Sequence, residues 1–178
     1  MAALTYLDVE ALTADCFMGG LLTVNELGLP TEFLYSEPIR PSKLQIGLYG
    51  TTLGRYVMVD VIGKGLLDGS QARGAPVVVG SAELLALATR CKRPLLHLSA
   101  TNQRPLGDVG DVRESTDTEF AAQLDEVRSP YIVRIYDRIN FVVDQHLPVL
   151  TECAARFEPL EPLSRIRRTL EVIQHDAG

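Results

Sequence analysis

Hydrophobic and polar positions along the chain change period several times, and each change marks an element. From Leu4 to Leu12 the period is two. Leu7, Val9 and Ala11 share one side, and Tyr6, Asp8 and Glu10 share the other. That is the signature of a strand with one face in a core and one in water. Cys16 to Val24 is a mostly apolar run broken by Gly19-Gly20, which predicts a bulge or a close backbone approach. Turn residues Asn25-Glu26-Leu27-Gly28 follow, and Thr31 to Ile39 returns with Phe33 and Tyr35 on one face. Residues 1–40 therefore read as an antiparallel β-meander.

Pro38 and Pro41 close that strand, and Ser42 is placed to cap a helix. Ile46, Tyr49, Leu53, Tyr56, Val57 and Val61 fall on one side, predicting a long helix over residues 42–67. The competing reading breaks this helix at Gly54 and makes residues 55–62 a strand. Gly47, Gly50 and Gly54 would share a stripe, and Leu44 and Leu48 point away from the main apolar side. Glycine costs a helix interior about 1 kcal/mol relative to alanine. A striped helix apolar on two sides predicts an interface at Leu44, Gly47, Leu48, Gly50 and Gly54.

Residues 75–100 form the clearest unit, with apolar strands Pro76–Val79 and Pro94–Ser99 around a helix opened by Ser81. This predicts a parallel βαβ unit. Residues 101–118, rich in Gly, Asp, Asn and Pro, read as a flexible loop, and residues 119–176 as a helical region. The expected fold class is α+β in one globular domain over residues 1–178, with C-terminal helices packed on the sheet.

Composition narrows the function classes. With 46% hydrophobic and 22% charged residues the chain is expected to fold rather than to be disordered. A net charge of −6, with acidic residues interleaved among the C-terminal arginines, argues against nucleic acid as the main direct partner. Three distant cysteines, Cys16, Cys91 and Cys153, suit a reducing cytoplasm. No signal peptide or membrane span is expected.

Candidate chemistry is sparse. His97, His146 and His175 are scattered, and the acidic run Asp108, Asp111, Glu114, Asp117 and Glu119 lacks EF-hand spacing, so no metal site is expected. There is no nucleophile elbow, no phosphate-binding glycine loop and no cofactor motif. Two constellations remain. Ligands of parallel sheets bind beyond the carboxyl ends of strands, where this chain places Gly80, Ser81, Ser99, Thr101 and Asn102. Glu37 and Arg40, held by prolines at the strand-to-helix corner, could pair as a structural or binding site. The pattern as a whole points away from an enzyme. It predicts an accessory subunit, a non-catalytic binding or assembly protein of a cytosolic oligomer whose partner is protein (self or another subunit). The alternative is a small enzyme or sensor that binds an anionic small molecule or nucleotide at the strand ends.

Overall fold

A computed structural model describes residues 3–177. Eight strands form one mixed sheet in the order β3-β2-β1-β4-β5-β8-β7-β6, with helices on both faces, so the class is α+β. Strands β1 (Ala3–Thr13), β2 (Cys16–Asn25) and β3 (Pro30–Tyr35) make the expected antiparallel meander. β1 then runs parallel to β4 (Val77–Val79), and β4 parallel to β5 (Leu95–Ser99). The connection between β4 and β5 is a 3-10 helix, Ala82–Thr89.

Two cores result, one on each face. Leu4, Tyr6, Val78, Leu96 and Leu98 lie beneath α4 (Val143–Ala154) and α5 (Glu161–Asp176). Leu7, Val9, Val77, Val79 and Leu95 lie beneath the helical run that begins at Leu53 and the 3-10 helix. Both faces of β1 are thus covered, and Tyr6 and Asp8 are buried rather than solvated as their alternation suggested. Gly19 and Gly20 keep the strand register continuous and supply the close approach. A Cβ on Gly19 would sit 2.4 Å from Ile62 on one face, and one on Gly20 2.7 Å from Ile166 of α5 on the other. Removing both side chains lets helices pack tightly on opposite sides of one strand.

The long helix is interrupted. α1 (Lys43–Tyr49) carries the expected capping box between Ser42 and Gln45 and ends at Gly50, whose φ of 52° leaves the helical range. A 3-10 turn leads into α2 (Leu53–Arg55), a π-helical stretch over Tyr56–Gly63 and α3 (Lys64–Gly69). Residues 55–62 are therefore helical, not a strand.

Residues 112–134 depart most from expectation. β6 (Val112–Thr116), β7 (Glu119–Ala122) and β8 (Tyr131–Arg134) form an antiparallel extension where a loop and helices were predicted. Four-residue strands give too few positions to separate a period of two from one of 3.6. Here Ile132, Ile135 and Ile139 mimic a helical stripe although Tyr131 and Val133 alternate into the core. Helix resumes at Val143, and α4 and α5 pack on the sheet as predicted. Among the described residues no helix is long and apolar enough to cross a membrane.

Candidate functional site

Among the described residues Asp8 is the one carboxylate buried within the strands. Its side chain is only 3% exposed, and burial pushes its pKa up from the ordinary carboxylate value, partly countered by Arg167 and by the Val9 amide. Glycine stands on both neighbouring strands. Gly20 of β2 pairs with Asp8 directly, and Gly80 follows Val79, the β4 partner of Leu7. The Gly80 amide donates to the Leu7 carbonyl at 2.8 Å. A Cβ on Gly80 would lie 2.1 Å from Asp8 Oδ1, so the carboxylate occupies the space a side chain would fill.

Arg167, on α5, covers this carboxylate. Its Nε donates to Asp8 Oδ2 at 2.7 Å and lies 3.1 Å from Glu10 Oε1. Neither Nη group has a hydrogen bond among the described residues, and the side chain is 47% exposed. The guanidinium therefore anchors through one nitrogen and turns its outer edge to solvent. A second polar cluster sits deeper. Arg93, also buried, donates to Thr5 Oγ1 at 2.7 Å, the Ala75 carbonyl at 3.1 Å and Ser70 Oγ at 3.3 Å. Ser70 continues the network by donating to Glu32 at 2.7 Å. That cluster ties β1, the end of α3 and β3 together, with Arg93 Nε left buried and without a partner among the described residues.

The predicted strand-end residues separate. Gly80 belongs beside Asp8. Ser81, one residue on, has a buried Oγ without a partner among the described residues, and it does not cap the following 3-10 helix as expected. Ser99 sits on the opposite face of β5 from Leu98, alongside His97. Thr101 donates to the Pro130 carbonyl at 2.5 Å and so holds the loop, and Asn102 is exposed. Glu37 and Arg40 are both exposed, with no ion pair between them among the described residues. The glycine stripe is not a common face, because the helix breaks at Gly50, and a Cβ on Gly47 or Gly50 would meet nothing within 4 Å. Gly54 has only the Phe17 ring at 3.9 Å. Leu44 and Leu48 are 71% and 73% exposed. Of the acidic run, Glu114 pairs with Arg138 and Glu119 with Arg134.

Divalent cations are commonly held on clustered carboxylates. The residues here do not fit such a cation. Only Asp8 and Glu10 are presented, Arg167 contacts both, and the adjoining strand end offers Gly80. Among the described residues no group of three or more His, Cys, Asp or Glu is arranged to hold a metal ion.

Sequence reading missed Asp8 and Glu10, and it weighed Arg167 with Arg134, Arg138, Arg165 and Arg168 as a nucleic-acid contact but preferred a solvated mixed-charge face. Asp8 looked like the wet face of an amphipathic strand, and Arg167 like one charge on a solvated helix. The Asp8–Arg167 meeting spans 159 positions and depends on α5 packing across β1 and β2.

No family model matches the chain, and no curated protein matches it. Solved structures do resemble it. The catalytic domain of human endonuclease V superposes with a TM-score of 0.57 at 13% identity, over 99% of this chain and 84% of that one. Ciona intestinalis endonuclease V, in complex with a 24mer DNA containing an inosine followed by a ribo-adenosine, gives 0.55 at 10% identity, over 97% and 87%. The Streptomyces avermitilis enzyme gives 0.51 at 14%, over 97% and 82%. These neighbours are endonucleases, one of them seen on DNA. They overturn the expectations of a non-catalytic accessory or assembly subunit, of protein as the main partner, and of nucleic acid as a poor candidate. The net charge of −6 is an average over the whole surface and does not describe any one part of it. At these identities the likeness establishes the fold: the chain is built on the architecture seen in endonuclease V.

Proposed function

We propose that this chain acts on nucleic acid as a phosphodiester hydrolase, with the backbone engaged at the strand end around Asp8, Glu10, Gly80, Ser81 and Arg167. The observation that carries the reading is the buried Asp8 carboxylate, framed by Gly20 and Gly80 and capped by an arginine whose Nη edge faces solvent. Arginine grips a phosphate through two parallel N–H bonds, and Arg167 keeps two such groups available. A carboxylate with a raised pKa is a better proton acceptor near neutrality than an exposed one. In this reading water attacks phosphorus and passes its proton to Asp8. The bond to the leaving sugar oxygen breaks, that oxygen takes a proton from solvent, and Arg167 carries the charge that develops on the phosphate oxygens.

The unpartnered Ser81 Oγ, one residue beyond Gly80, supports a ligand-facing strand end. One sheet running through all eight strands supports a single domain. The three free cysteines support a reducing cytoplasmic setting.

The test is incubation of the purified protein with end-labelled single- and double-stranded DNA and RNA, with and without inosine, resolved on denaturing gels. Cleavage that Asp8→Asn removes, with the fold intact by circular dichroism, supports the proposal. No cleavage and no retention of any oligonucleotide would sink it.

A further inference from the structure

We infer that Arg167 is a built-in cation: it takes the position between Asp8 and Glu10 that a bound metal would need, and meets the phosphate itself. This rests on the nucleic-acid reading above. Three observations lead to it. The first is that one nitrogen serves both carboxylates, with Nε 2.7 Å from Asp8 Oδ2 and 3.1 Å from Glu10 Oε1. A hard divalent cation would need those same oxygens, at roughly 2.0–2.5 Å and with several further oxygen ligands. The second is Gly80, the adjoining strand-end position. It supplies no ligand, and any side chain there would collide with Asp8. The third is the asymmetry of the guanidinium, anchored at Nε with both Nη groups unbonded among the described residues. An arginine acting only as a structural tie would gain by turning its fork onto a carboxylate. Arg165, on the same helix, sets both Nε, at 2.8 Å, and Nη2, at 2.5 Å, on Glu161 Oε2, and its Nη1 donates to the Gly28 carbonyl at 2.6 Å.

The consequence is a site whose affinity for a nucleic-acid backbone does not depend on added metal. Asp8 and Glu10 serve as positioning residues for Arg167 as well as its counter-charges.

The experiment has two independent arms. In the first, Mn2+ is titrated into the wild-type protein by isothermal calorimetry. The expected result is no saturable binding in the wild type, and binding gained by Arg167→Gln, which frees both carboxylates. That gain should be lost again when Asp8→Asn is added. In the second, fluorescence anisotropy of a labelled single-stranded DNA is read with EDTA and with Mg2+. Affinity should agree within about twofold between the two buffers. Arg167→Gln should weaken it by about tenfold or more in both, since one charge-assisted contact is worth about that factor. Saturable Mn2+ binding by the wild type that Asp8→Asn removes would overturn the inference, and so would DNA binding that requires Mg2+. If no oligonucleotide binds, the hydrolase reading fails while the Mn2+ arm still decides the role of Arg167. Arg167→Met stands in if the glutamine variant does not fold, and the wild-type titration needs no variant.

Discussion

Replacing Gly80 by alanine tests the strand-end geometry through stability alone. The added Cβ would stand 2.1 Å from Asp8 Oδ1, 2.3 Å from Cγ and 2.8 Å from Oδ2, all far inside contact distance. The carboxylate must move, yet Oδ1 accepts from the Val9 amide at 3.0 Å and Oδ2 from Arg167 Nε at 2.7 Å. Overpacking of this kind costs about 1–3 kcal/mol. The Asp8–Arg167 bond would also be strained, and because Arg167 is about half exposed that adds only about 1 kcal/mol. The sum, about 2–4 kcal/mol, corresponds to a fall in Tm of about 5–15 °C for a chain of this length. The three atoms nearest the new Cβ all belong to Asp8. In an Asp8→Ala background the same substitution should therefore cost less than about 0.5 kcal/mol, giving a coupling of about 2 kcal/mol in a double-mutant cycle. Gly65→Ala is the control. It lies inside α3 with nothing within 4 Å, so it should raise stability by about 0.5–1 kcal/mol. Urea melts of the five proteins read all of this. Equal costs for Gly80→Ala with and without Asp8 would refute the reasoning.

Further outcomes follow from the same structure. Arg93→Met removes a buried hub that bonds Thr5, Ser70 and Ala75, and should cost about 2–4 kcal/mol in chemical denaturation. Burial works to raise the Glu32 carboxyl, but the Gln71 amide, the Ser70 and Thr23 hydroxyls and Arg93 outweigh it and hold its pKa below the usual value. Its stabilising contribution is therefore complete above the unfolded carboxylate pKa and lost as pH falls through the folded one. Glu32→Gln should accordingly lose less stability on acidification than the wild type; an unchanged acid limb would contradict this. A thiol reagent at mildly alkaline pH should label Cys91 first. Cys16 and Cys153 are buried, and burial pushes the Cys153 thiol up to about 11, so both should wait for denaturant.

The contrast between what sequence revealed and what it hid has physical causes. The meander and α5 carry local patterns long enough to read, and the short parallel strands at Val77–Val79 and Leu95–Ser99 were legible as apolar runs on either side of a helix. β7 and β8 are too short for that, so their alternation passed for a helical stripe. Gly80 was singled out by strand-end logic as a ligand position, and the structure shows room made there for Asp8. The site itself is non-local. Asp8 is unremarkable as a residue of an alternating strand until β2, β4 and α5 surround it, and only then do two glycines and one arginine become a constellation.

The central claim is that nucleic acid meets the chain at this strand end. Photo-crosslinking with an oligonucleotide carrying 4-thiothymidine, followed by mass spectrometry of the modified peptides, tests it most directly. The account predicts adducts on the peptides bearing Glu10, Gly80-Ser81 and Arg167, reduced when Arg167 is replaced by glutamine. Adducts confined to other surfaces, such as the β6 edge or α1, or none at all under conditions where control nucleases crosslink, would contradict it.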